Sequence, residues 1–214
     1  MKRFLLSLAL LLGLLAPASA QTTANTGAFT PSPGVSVAYL SRATYASAFF
    51  GLVPAGTTPT DVICIAGSAT KTVRLQSIKL SGSGTAISVP VTLLRRATAD
   101  TGGTAATTTA NPGITTQISK RDPANATATA VLISYTANPT INDTAPTYID
   151  SAQLGVVATT VGVINPVTEF NFGRDTENFL QPPALYGVAQ QICVNFNSTT
   201  SVLLLTGTVV WTEE

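Results

Sequence analysis

The chain has 214 residues, 45% of them hydrophobic and only 10% charged, with 11 Lys and Arg against 10 Asp and Glu, two cysteines and no histidine. That balance excludes a disordered polyelectrolyte, and it offers no basic surface to track a phosphate backbone, so nucleic acid is not an expected partner. Without histidine, Ser-His-Asp and Cys-His catalysis and imidazole metal sites are ruled out together.

Residues 1–20 read as an export signal. Lys2 and Arg3 give a positive start, Phe4 to Leu15 an apolar core too short to span a bilayer, and Ala18-Ser19-Ala20 a small-residue cleavage site. Cleavage after Ala20 predicts a secreted or periplasmic product without a membrane span, carrying nine basic and ten acidic residues. Residues 21–34, with Pro31 and Pro33, read as a flexible lead-in, and 35–214 as a single domain large enough to bury a sizeable core.

Thr- and Val-rich segments punctuated by Gly and Pro predict short β-strands. The first candidates are Val35 to Leu40 and Tyr45 to Val53. Asp61 to Ala66 is apolar in both phases after its first residue, the pattern of a strand covered on two faces. In Lys71 to Leu80, Val73 and Leu75 share one phase while Ile78 and Leu80 share the other, so a bulge near Gln76-Ser77 is needed to keep all four inside.

Ile87, Val89, Val91 and Leu93 alternate cleanly, and Pro90 among them predicts an edge strand or one with an open side. Arg95-Arg96 and Lys120-Arg121 read as solvated pairs at loop ends. Thr98 to Gly113 is a low-complexity Thr/Ala/Gly loop. Asp122-Pro123 has the form of a helix start, so Ala124 to Tyr135 reads as one short helix, although its Thr-Ala-Val-Leu-Ile stretch also suits a strand.

After a polar loop over Asn138 to Thr147, strands are predicted at Gln153 to Ile164 and Glu169 to Phe172. Near the C-terminus Ile192, Val194 and Phe196 share a face with Cys193 on the other. Leu203, Leu205, Val209 and Trp211 share another face, ahead of Glu213-Glu214 in water. The sum is an all-β fold, a single β-sandwich or jelly-roll-like domain with at most one short helix.

Cys64 and Cys193 are either a disulfide or two buried free thiols on separate strands. The even count and an oxidising destination favour the disulfide. Paired carboxylates are the one catalytic device left, with Asp143, Asp150, Glu169, Asp175 and Glu177 as candidates. No spacing joins any two of them, so a hydrolase is the lesser reading and no catalytic, cofactor or metal residue is assigned. Asn142-Asp143 with Asp150 offers oxygen ligands for calcium but lacks the EF-hand spacing. Tyr39, Tyr45, Phe49, Phe50, Phe170, Phe172, Tyr186 and Trp211 sit at strand positions and read as core or subunit contact.

Three blocks carry a family likeness: Asp61 to Thr104, containing GSATKTVR and RRATADTGGT; Ser134 to Thr140, SYTANPT; and Tyr186 to Asn197 with the closing VVWTEE. In that order they resemble a family of small tailed-phage and prophage proteins, over most of the chain from about Ser47 onward. The resemblance implies a virion-associated or surface β-structure, a jelly roll that trimerises; a cleavable export signal lies outside that pattern. The expected function is therefore a non-catalytic exported structural or interaction protein that self-associates or decorates a surface. The alternative is a carbohydrate-binding module or adhesin subunit. No cofactor is expected. The expected partners are further copies of the chain and a surface or carbohydrate.

Overall fold

A computed structural model describes residues 42–54, 60–85, 87–106, 116–157, 166–173, 181–197 and 202–214. The export signal, the lead-in, the strand at Val35 to Leu40, and the acids Asp175 and Glu177 lie outside the described residues. Residues 42–214 make one compact unit. Its strands are β1 (Ala43–Leu52), β2 (Thr60–Ala66), β3 (Thr72–Gly84), β4 (Ile87–Arg96), β5 (Thr104–Ala105), β6 (Thr116–Lys120), β7 (Val131–Ser134), β8 (Thr147–Val157), β9 (Thr168–Asn171), β10 (Ala184–Tyr186), β11 (Gln191–Phe196) and β12 (Val202–Glu213). The fold is all-β, with no helix among the described residues.

The strands form one hydrogen-bonded sheet made of two antiparallel layers. One runs β5-β7-β2-β11-β4-β8, the other β3-β12-β1-β6 with β9 and β10 on the free side of β3. They join where Gly82 and Ser83 lie parallel to Val156 and Val157. At the far side β6 approaches β7, so the sheet curls back on itself. Early strands pair with late ones in nested order, β1 with β12, β2 with β11 and β3 with β10, which gives the sandwich a jelly-roll-like winding.

Both layers supply one continuous core, including Tyr45, Phe49 and Trp211 from one and Ile63, Val91, Leu93 and Val194 from the other. Apolar burial on this scale contributes roughly 25 cal/mol per Å² removed from water, which holds the layers together. Trp211 stacks on Tyr45 with ring centroids 5.9 Å apart. The bulge in β3 falls as expected. Ser77 pairs with Val210 and Leu75 with Trp211, leaving Gln76 as the extra residue, and Val73, Leu75, Ile78 and Leu80 are all buried. In β1 the ladder slips between Phe49 and Leu52, where Gly51 has a φ of 61° and Phe50 turns to the surface.

Three expectations are corrected. β4 is central rather than an edge, flanked by β11 and β8. Pro90 is tolerated because it lies one residue past the last β11 pair, Phe196 with Val91, and its carbonyl accepts the Asn197 N–H at 3.1 Å. A residue's N and C=O point to the same side of a strand, so the missing donor falls beyond that ladder. The stretch from Ala124 is not a helix. Asp122 does bind the Ala124 N–H, at 2.9 Å, but as an isolated turn, and Val131–Ser134 pairs with β2 instead. Its β-branched residues complete a layer there, which a lone helix would leave open. The last strand does not end in water: Glu213 is only 2% exposed. Its carboxylate accepts the Thr129 and Ala130 N–H groups, the Thr129 hydroxyl and the Trp211 indole N–H. Burial alone would raise its pKa, but those donors outweigh it and hold the group below the usual carboxylate range.

Candidate functional site

Among the described residues, polar side chains gather in one buried layer and line open grooves. The buried layer lies on the outer face of β2, β11 and β4. Cys64 and Cys193 are directly opposed and joined by a disulfide, 129 residues apart in the chain. They pack with Tyr135 and Ile133, apart from the main core. A slip in the β2 ladder sets Val194 against Ile63 and Asn195 against Asp61, skipping Val62. Without that bulge, Asp61 and Cys64 would face opposite sides of the strand. With it, Asp61 joins the disulfide face.

Arg96 reaches the same layer from the end of β4. The reading of Arg95-Arg96 as a solvated pair is therefore half wrong: Arg95 is exposed, but Arg96 is 4% exposed. Its Nε donates to Asp61 Oδ2 and lies 3.2 Å from Asp100 Oδ2, and its Nη1 donates to the Asp143 carbonyl at 2.7 Å. Burial alone would lower the guanidinium's pKa, but Asp61, Asp100 and Asp143 hold it above its ordinary value. Asp61 Oδ1 also accepts the Asn195 amide at 2.6 Å, and Gln191 Oε1 accepts the Asp100 N–H at 3.0 Å.

Two loops close over this layer. Thr101 and Thr140 exchange backbone hydrogen bonds, and the Asn142 amide donates to the Ala99 carbonyl at 2.7 Å. A Cβ added to Gly103 would overlap Ile133 and the Tyr135 ring, so only glycine lets the chain lie this close. Burial pushes the Tyr135 phenol up to about 12.

Asp61, Cys64, Asp100 and Cys193 bring their ligand atoms within 4.8 Å of one another, a grouping compatible by distance with a metal ion. Here the sulfurs are bonded to each other and a guanidinium lies between the carboxylates. The arrangement is an ionic and covalent lock rather than a site open to substrate.

Asp100 is the unusual member. Burial first, then a hydrogen bond shared with Asp61, push it up to about 7 against the pull of Arg96. The unfolded chain releases that proton near the ordinary value of 3.8. Between these limits the folded state binds more protons, so the unfolding free energy contributed by Asp100 falls as pH rises from about 4 to 7. Asp100→Asn keeps an acceptor for the Asn142 N–H and supplies a permanent donor toward Asp61. Urea titrations across that range are expected to show a shallower decline with pH than in the parent. An unchanged slope would remove Asp100 as its source.

One open groove lies on the outer face of β4 and β8, about 660 Å³ in volume and bounded by Tyr148 at one end and by Pro90 and Asn197 toward the other. Tyr148 is 73% exposed, opposite Leu94 in the ladder, where a bulge at Ile149 turns the strand. Asp150 Oδ1 accepts the Ser151 N–H at 2.7 Å, Gln153 Oε1 accepts the Ser88 hydroxyl at 2.9 Å, and the Asn197 amide donates to Thr92 Oγ1.

The candidate acids are dispersed. Asp143 accepts the Ala97 and Ala145 N–H groups, which lower its pKa in that order of importance, so its oxygens serve the loop. Asn142, the neighbouring residue of the calcium arrangement, ties its side-chain NH₂ to the Ala99 carbonyl. Glu169 is paired with Lys79 at 3.5 Å, and Asp150 stands in the groove. Of the strand aromatics, Tyr45, Phe49, Phe170 and Trp211 are core, while Phe50 and Tyr186 are exposed.

Reading along the chain passes over Tyr148 because it falls between a polar loop and the start assigned to the next strand, although Tyr148 to Gln153 already carries strand-forming residues. No protein-family model, curated protein or solved structure matches the chain.

Proposed function

We propose that the protein is a non-catalytic, exported interaction protein that decorates a surface, applying the outer face of β4 and β8 to it. One observation carries this reading: a large aromatic side chain, Tyr148, stands in solvent over a groove of amides and hydroxyls. An aromatic left uncovered on a rigid sheet has hydration to lose on contact, and little conformational freedom. Among the described candidate acids, Asp143 is tied into its loop and Glu169 into an ion pair with Lys79. The positive, apolar and small-residue segments of 1–20 and the disulfide support export, and the likeness to tailed-phage β-structural proteins supports a surface role. No described helix is long and apolar enough to cross a membrane.

The test is co-sedimentation of fluorescently labelled mature chain with intact cells of the producing organism. Binding that Tyr148→Ala abolishes is the expected result, and absence of binding by the parent overturns the reading. Self-association is a second reading, favoured by Phe50, Val53 and Leu204, exposed at one end of β1 and β12. Light scattering on the eluting protein should then give a trimer, and a strict monomer would remove it.

A further inference from the structure

We infer that the β4–β8 groove binds a neutral glycan chain, with Tyr148 as the ring on which a sugar face stacks; this rests on the groove being the contact surface. The Tyr148 ring is flat, apolar and exposed, suited to the C–H face of a pyranose, and the half-buried Pro90 adds an apolar surface to the same lining. Around them the polar groups are half used. Gln153 spends its carbonyl on Ser88, leaving its NH₂ to donate, and Asn197 spends its NH₂ on Thr92, leaving its carbonyl to accept. Ser151 adds a hydroxyl that can donate or accept.

Vicinal hydroxyls, each both donor and acceptor, match this mixture. An anionic ligand does not, because Asp150 is the only charged residue among the described residues of the lining.

The experiment is native affinity electrophoresis of the mature chain in gels containing dextran, glucomannan, mixed-linkage β-glucan or polygalacturonate. At least one neutral polymer is expected to retard the parent, with affinity reduced about tenfold or more by Tyr148→Ala and retained by Tyr148→Phe. Gln153→Ala combined with Asn197→Ala should weaken retardation several-fold. Failure of every neutral polymer, retardation by polygalacturonate alone, or indifference to Tyr148→Ala overturns the inference. Periodate treatment of the cells separates the two claims. Tyr148-dependent cell binding that survives it overturns the glycan and leaves the contact surface standing. Binding indifferent to Tyr148→Ala overturns both.

Discussion

Replacing Arg96 with methionine is expected to lower the unfolding free energy by about 3–5 kcal/mol near neutral pH, the usual cost of removing one partner from a buried ion pair. Methionine keeps most of the side-chain volume, so the loss should not be a cavity effect. What it removes is the one cation of the buried layer among the described residues, leaving Asp61 and Asp100 beside each other without it. The same substitution withdraws the donor to the Asp143 carbonyl, which pins the covering loop to β4. Two measurements identify the cause. The deficit in urea titrations should shrink on acidification, since a protonated Asp100 no longer needs the guanidinium. It should also be largely recovered in the neutral variant combining Asp61→Asn, Arg96→Met and Asp100→Asn, a non-additivity expected only of groups in one network. A deficit that is independent of pH and additive across the three sites would show that Arg96 matters only for packing.

Removing the disulfide, by Cys64→Ala with Cys193→Ala, is expected to cost about 3–5 kcal/mol. That is the chain-entropy value for a link spanning 129 residues. For a domain of this size the melting temperature should fall by roughly 10 °C or more. The link ties β2 to β11, strands already adjacent through the ladder, so it adds no new neighbour to the folded state. Its contribution is therefore expected to come mainly through the unfolded chain. Calorimetry of parent and variant under non-reducing conditions checks this, and a difference below 1 kcal/mol would show that the ladder alone suffices. Because both sulfurs are buried beneath the loops that Arg96 holds, the two effects meet in one layer.

Much of this architecture is legible along the chain. The alternation at Val89, Val91 and Leu93, the phase slip at Gln76, the doubly buried Asp61 to Ala66 and the turning of Cys193 away from Ile192 and Val194 all appear in the folded strands. Each is written in consecutive residues, because strand periodicity is a local property of the backbone. The failures are equally instructive. Val131–Ser134 is a strand because β2 offers it an edge, something no capping signal at Asp122 records. Asp61, Arg96, Asp100 and Glu213 look like surface charges because a polar residue is normally cheapest in water.

Fold class, the inward face of most strands and the pair of cysteines able to close the domain follow from the order of residues along the chain. Which polar groups lie inside and which aromatics remain outside is set by packing between distant segments. Asp61 meets Arg96 across 35 residues and Asn195 across 134, and Glu213 meets Thr129 across 84. Tyr148 stays exposed because no described strand packs over the outer face of β8. Burial of charge and exposure of an aromatic ring both depend on what arrives from elsewhere in the chain, and a local period carries no record of that.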